Sequence, residues 1–197
     1  MAIPQPAVPL RWRMKKAAIV IGSRGRLGAA FVARLLGDGF AVQGVDLGDP
    51  RHRDPAPGER PYFFDCAYQH GDPIRHVERV TGHFENWRRY EAIFVPSSLW
   101  IGPDSAYGRA KLAIERLALH YTAQGARVVT DRIGYFPGDG VDPDPTEPMY
   151  AHRVTGDVLY ARVMARMRPA GSPDRPRPVA ASVLPPARHD LLGAVEL

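Results

Sequence analysis

Tyr107 and Lys111 stand four residues apart in the stretch IFVPSSLWIGPDSAYGRAKLAIERLALHYTAQG, residues 93–125. On a helix that spacing places the phenol and the ammonium on one face, a turn apart. A phenol ionises at about 10 and is a poor proton donor or acceptor at neutral pH. An adjacent cation favours the phenolate and brings the group toward working range. Lys111 would be that cation. Ser97 and Ser98, which close the apolar run IFVPSS, would supply a hydroxyl to hold a carbonyl or alcohol oxygen beside the phenol. Together the three side-chain types can move a proton on or off a carbinol oxygen. The chain takes nearly all its positive charge as arginine, and Lys111 is its only lysine beyond Lys15 and Lys16. Arginine would stay charged, but its planar fork is bulkier and no equivalent. A tyrosine and a lysine at this spacing also fall together by chance on helices that do no chemistry.

A second constellation lies near the start. The apolar run Ala17–Ile21 feeds directly into GSRGRLG, residues 22–28, and the following AAFVARLLGDG has helical character, with Gly37 and Gly39 as stop signals. A strand, a glycine loop and a helix in that order are what dinucleotide binding requires. Gly22, Gly25 and Gly28 let the backbone turn tightly, approach a pyrophosphate and pack helix on strand. Ser23, Arg24, Arg26 and Leu27 complete the loop, which the helix N-terminus would help to make an anion site. The next strand, FAVQGVD, ends at Asp46, 18 residues past Gly28. A carboxylate there can accept hydrogen bonds from an adenosine ribose, or it is a turn residue at a strand end. Asp46 argues for NAD, because it would repel a 2′-phosphate. Arg24, Arg26, Arg51 and Arg53 argue for NADP. The balance leans to NAD, with NADP possible.

The elements that must position these residues follow in order. Prolines at 50, 55, 57 and 61 make LGDPRHRDPAPGERP, residues 47–61, a surface loop where a crossover helix would be expected. YFFDCAY, residues 62–68, reads as a strand. Asp72 and Pro73 read as N-cap and first helical position, opening a helix to Tyr90 with Ile74, Val77, Thr81, Phe84 and Arg88 on its apolar face. The Tyr107 helix takes Asp104 or Ser105 as N-cap and Gly125 beyond its end. ARVVTD, residues 126–131, is a further strand, and RIGYFPGDG after it should border the nicotinamide end of a site. Thr155 would cap a last helix from Gly156 to Met167. Alternating apolar runs and helical patterns predict an α/β fold, a doubly wound, Rossmann-type and mostly parallel sheet in a single domain.

At 197 residues the chain is long enough for one good core and short for two. Residues 1–14 read as a disordered lead-in without the apolar segment of a signal peptide, residues 15–167 as the domain, and 168–197 as a proline-rich tail. Hydrophobic content of 45% and charged content of 24% are ordinary for a globular protein, and no apolar run approaches a membrane span. One cysteine, Cys66, excludes an internal disulfide framework and fits a reducing cytoplasm. The net charge of +5 is spread over scattered arginines without interleaved aromatics, which argues against nucleic acid. His70, His76, His83 and His120 form no HxxxH pair and read as solvated or packed rather than metal ligands. Trp12 and Trp87 read as lead-in and packing, whereas Trp100 could line a substrate pocket.

In GSRGRLG, the VD at 45–46, FVPSS, YGRAK followed by LAIE, and RIGYFPG at 132–138, the chain resembles the short-chain dehydrogenase/reductase superfamily, and within it the extended NAD-dependent epimerase/dehydratase branch. The resemblance covers about residues 15–167. It implies NAD or NADP bound at the glycine loop and Asp46. Tyr107 would be the acid/base, Lys111 would hold the nicotinamide ribose near the phenol, and Ser98 would polarise the substrate oxygen. Hydride would pass at nicotinamide C4 in an oxidoreductase, epimerase or dehydratase acting on a sugar-like or small metabolite. It further implies a homodimer through the helices spanning about 73–90 and 105–123, and one strand with its helix missing between Asp46 and Tyr62. Three departures stand out: Arg79 where the family carries asparagine, a shortened loop from Ser98 to Tyr107, and a largely absent substrate domain. A catalytically inactive cofactor-binding sensor or structural partner is the alternative.

Overall fold

The computed structural model describes residues 16–46, 49, 59–68, 71–136, 146 and 152–169. The expected lead-in, the tail and most of the proline-rich loop fall outside them. Five strands form one parallel sheet: β1 Ala17–Ile21, β2 Ala41–Val45, β3 Tyr62–Asp65, β4 Ala92–Ser98 and β5 Val128–Ile133, in the order β2-β1-β3-β4-β5. Helices α1 Arg26–Gly37, α2 Pro73–Glu85, α3 Ala106–Ala123 and α4 Gly156–Met167 flank it.

Strand residues alternate between two cores, as a sheet covered on both faces requires. Ala18, Val20, Tyr62, Phe64, Ala92 and Phe94 point to the side of α1 and α4, where Phe31, Leu159 and Met164 fill the layer. Ile19, Phe63, Ile93 and Val95 point to α2 and α3, against Val80, Phe84 and Ile114. On the first face Phe31 stacks on Phe94 at 5.2 Å between centroids and meets Phe64 and Tyr160 at 5.4 and 5.7 Å, tying α1, the sheet and α4 together.

Local signals set the helix starts. Asp72 accepts from the Arg75 amide with Pro73 at the first position, Ser105 accepts from Gly108, and Thr155 accepts from Val158. The helix expected to run to Tyr90 stops at Glu85 and gives way to a short 3-10 turn, Trp87–Arg89. Its buried stripe also differs from the expected one. His76, Val80 and Phe84 face inward while Ile74 is 73% exposed, so the stripe begins on a histidine.

All five strands end on one edge of the sheet. The chain turns outward from β1 to β2 and in the opposite direction from β3 onward, which opens a crevice between the carboxyl ends of β1 and β3. β3 pairs with β4 only from Tyr62–Ala92 to Phe64–Phe94, whereas β4 pairs with β5 as far as Ser98–Ile133. Beyond Phe94, therefore, β4 presents a free edge to the crevice.

Candidate functional site

A cleft of about 990 Å³ opens at this carboxyl edge. Of the residues singled out from the sequence, Gly22, Gly25, Arg26, Leu27, Asp46, Ser98, Tyr107 and Lys111 line it together, from elements up to 89 residues apart. Ser23, Arg24 and Gly28 lie behind that wall and shape it. Gly22 has φ +75, and a Cβ there would stand 2.8 Å from the Ala67 amide on the far side of the crevice. A Cβ on Gly28 would come within 2.0 Å of the Gly22 carbonyl, so loop and helix touch backbone to backbone.

The N-terminus of α1 faces this cleft without a side-chain cap and without an acidic residue in its first turn. The other three helices of the described fold are each capped by a side chain. Uncapped amides at the positive end of a helix favour an anion. At Gly25 an added Cβ would meet only the Gly22 carbonyl, at 3.2 Å, and any larger side chain would fill open cleft. The loop thus fits a diphosphate.

Asp46 is engaged by its own loop. Its carboxylate accepts from the Ser23 hydroxyl and from the Arg24 amide at 3.0 Å, while the Arg24 guanidinium donates to Asp49 at 2.9 Å. These bonds hold the end of β2 against the turn after β1 and leave Asp46 bordering the cleft.

The two serines diverge. Ser97 donates to Glu115 at 2.6 Å, and Glu115 is gripped in turn by both forks of Arg132, at 2.9 and 2.8 Å. The Arg132 hydrogen bonds hold the Glu115 carboxyl below the usual range, opposed by partial burial and aided by Ser97. Ser98, 4% exposed, accepts from the Trp100 amide at 3.1 Å and keeps its own proton free to donate. Ser98, not Ser97, is available to a ligand oxygen. Trp100 and Tyr135, ring centroids 4.7 Å apart, form an aromatic wall beside it, with Ile133, Gly134 and Phe136 continuing the lining.

Tyr107 is half-buried and packs edge-on against Tyr68 at 5.0 Å. Lys111 is 4% exposed, and its Nζ lies 5.7 Å from the centre of the Tyr107 ring and 5.0 Å from that of Tyr68. It donates to the Pro96 carbonyl at 3.0 Å and stands 3.4 Å from Nε2 of His76. Pro96 sits on the free edge of β4, so its carbonyl has no β3 partner and Lys111 takes that place. Burial, the largest cause, lowers the lysine's pKa from 10.5 to about 8; Arg79 lowers it further and Asp65 opposes.

Behind Lys111 lies a cluster that sequence reasoning missed. Asp65, fully buried at the end of β3, accepts two bonds from Arg79 at 3.1 and 3.3 Å, and His83 approaches it at 3.5 Å. Arg79 also donates to the Ala67 carbonyl at 2.7 Å and to Nδ1 of His76 at 2.9 Å. A histidine at the head of the α2 stripe, with an arginine one turn on, was the available signal. Of the other histidines, His83 packs on Phe63 at 4.6 Å and His120 contacts Gln124 on the surface, while His70 lies outside the described residues. Among the described residues no group of three or more His, Cys, Asp or Glu side chains is placed to hold a metal. No helix there is long and apolar enough to cross a membrane.

No protein-family model matches the chain, and no curated protein does. Solved structures do. A UDP-galactose 4-epimerase aligns with a TM-score of 0.52 at 22% identity, over 61% of this chain and 56% of that one. A putative epimerase from Burkholderia cenocepacia J2315 aligns with a TM-score of 0.55 at 20% identity, over 79% and 73%. The UDP-glucose 4-epimerase of Thermus thermophilus, solved in complex with NAD, gives 0.53 at 17%, over 78% and 75%. The chain thus spans little more than half the length of the first of these. The fold is the Rossmann-type fold of the sugar-nucleotide epimerases, as the sequence resemblance implied.

Proposed function

We propose that this chain is a nicotinamide-dinucleotide-dependent oxidoreductase of the short-chain dehydrogenase type, acting on a carbonyl or alcohol carbon of a sugar-like or small metabolite. The observation that carries this reading is a shared cleft. The bare N-terminus of α1 and the proton-handling set of Tyr107, Lys111 and Ser98 open onto the same space.

The backbone amides of Arg26 and Leu27 at the start of α1 would hold the diphosphate, Gly22 and Gly25, whose own amides are bonded to Val45 and Gly22, would leave room for it, and Asp46 would lie near the adenosine ribose. Bound there, the cofactor supplies hydride acceptance and donation. Ser98 donates a hydrogen bond to the substrate oxygen and fixes its direction. Tyr107 exchanges the proton on that oxygen as its carbon gains or loses hydride. When charged, Lys111 stabilises the phenolate through its nearness to the ring. Trp100 and Tyr135 offer flat apolar faces against which a ring-shaped substrate can pack. NAD would be preferred, because the Asp46 carboxylate at the cleft would repel a 2′-phosphate. Arg24, with its side chain 72% exposed beside Asp46, leaves NADP possible.

A second reading, a cofactor-binding module without turnover, is favoured by one observation. Lys111 is bonded to Pro96 and His76 rather than directed at the phenol. A screen of carbonyl compounds and nucleotide sugars, read by reduced-nicotinamide absorbance and by product analysis for redox-neutral epimerisation or dehydration, separates the two. Tyr107→Phe should lose about 10²–10⁴-fold in turnover with cofactor affinity nearly unchanged. If the wild type and Tyr107→Phe bind cofactor alike and both are silent throughout, the module reading replaces the enzyme.

A further inference from the structure

We propose that Arg79 and His76 act as a positioning pair that makes the neutral amine the best-satisfied form of Lys111, so that this lysine gives up its proton more readily than an exposed lysine does. The argument is one of hydrogen-bond inventory. Arginine can only donate, and Nη2 of Arg79, whose two N–H groups are shared among Asp65, the Ala67 carbonyl and His76, lies 2.9 Å from Nδ1, a contact that favours Nδ1 as the unprotonated nitrogen of the imidazole. A neutral ring then carries its proton on Nε2. That nitrogen faces Nζ of Lys111 at 3.4 Å.

An ammonium has three donors and no acceptor, so it would meet the Nε2 proton donor to donor. A neutral amine keeps two N–H groups and gains a lone pair. It donates to the Pro96 carbonyl and accepts from His76, leaving one N–H for the faces of Tyr68 and Tyr107. Charging His76 instead is ruled out by the same neighbours. The ring is fully buried beside the permanent Arg79 cation, and burial first, then Lys111 whenever it is charged, and Arg79 drive its pKa down to about 3.

The groups facing Lys111 come from four elements. At the end of β3, Asp65 favours the ammonium but is already bonded twice by Arg79, and burial keeps the Cys66 thiol protonated. Tyr68 follows in the next turn. From α2 come His76 and Arg79; the latter's charge disfavours the ammonium. From α3 come Tyr107 and, one turn on from Lys111, Glu115, whose charge is absorbed by Arg132 and Ser97. From β4 there are only the Pro96 carbonyl and uncharged serines. The burial-driven fall of the lysine's pKa to about 8 agrees with this geometry.

The consequence for turnover rests on the function proposed above: Tyr107 would have a cation beside it only while Lys111 holds its proton. The protonation itself does not rest on it, and can be tested without cofactor or substrate. Lys15, Lys16 and Lys111 are the only lysines, so protein labelled with carbon-13 lysine gives three Cε resonances, and Lys111→Met identifies the one of interest. In the wild type that resonance should titrate near pH 8, with Lys15 and Lys16 as comparison in the same sample. In nitrogen-15 histidine spectra of the wild type, His76 should show the Nε2–H tautomer across the neutral range. His76→Gln offers a carbonyl that can accept from the ammonium, and should raise the Lys111 midpoint by about one unit or more. Arg79→Lys keeps a charged donor and should leave it near the wild-type value. A Lys111 midpoint above 10 in the wild type, an Nδ1–H tautomer at His76, or a folded His76→Gln protein with an unmoved midpoint would each overturn the proposal. The two wild-type spectra decide it even if the variants fail to fold.

Discussion

Gly25 and Gly28 belong to one motif but should fail in different ways when changed. At Gly25 the backbone is extended, with φ −68 and ψ 159, a region valine occupies readily. Its Cβ would need only a few tenths of an ångström of give from the Gly22 carbonyl at 3.2 Å. Gly25→Val should therefore fold, with a stability change below about 1 kcal/mol. The branched side chain would stand in the cleft in front of the α1 amides. Losing one hydrogen bond to a charged diphosphate oxygen costs about 1.5–3 kcal/mol, so cofactor affinity should fall about 10–150-fold. Gly28→Ala is the opposite case. Its Cβ would lie 2.0 Å from the Gly22 oxygen and 2.7 Å from the Gly22 carbon, and forcing α1 off the loop should cost about 1–3 kcal/mol of stability by overpacking. Urea unfolding and calorimetric titration of both variants provide the two readings. Wild-type affinity in a folded Gly25→Val protein would refute the placement of the diphosphate. Unchanged stability in Gly28→Ala would refute the backbone contact.

Two further outcomes follow from the packing and the charges. Phe31→Ala removes a fully buried ring held by three aromatic partners, and should lower stability by about 3–5 kcal/mol in chemical denaturation. Glu115 is held below its usual pKa chiefly by its hydrogen bonds to Arg132, so its contribution is present above pH 4.5 and is lost as pH falls through the lowered value. Glu115→Gln should then show less loss of stability between pH 5 and 3 than the wild type, by about a few tenths to 1 kcal/mol given the exposure of Arg132; equal acid sensitivity would contradict the assignment.

Much of the fold was legible because its signals are local. The run Ala17–Ile21, the glycine turn, Ser105, Thr155 and the last helix from Gly156 to Met167 lie where the sequence put them, since caps and apolar runs act within a few residues. The cleft-lining positions of Tyr107 and Lys111 were legible for the same reason, as an i, i+4 pair. What escaped the sequence depends on contacts between elements. Asp65, His76, Arg79 and Lys111 come from β3, α2 and α3 and have no fixed spacing, so only the fold assembles them. Residue type alone did not separate Ser97 from Ser98, and only the resemblance pointed to Ser98; in the fold Glu115 takes Ser97 and leaves Ser98 at the cleft. Pro96 acquires its role because β3 stops short of it. The stripe on α2 was misread because its first buried member, His76, is polar and the apolar Ile74 beside it faces outward.

The central claim is that the cleft holds a nicotinamide dinucleotide beside Tyr107. Its most direct test is calorimetric titration of the intact protein with NAD, NADH, NADP and NADPH. The account predicts saturable one-site binding, tighter for NAD and NADH than for their phosphorylated counterparts, with that preference reduced in Asp46→Ala. Absence of heat and of thermal stabilisation with all four at millimolar concentration would contradict it.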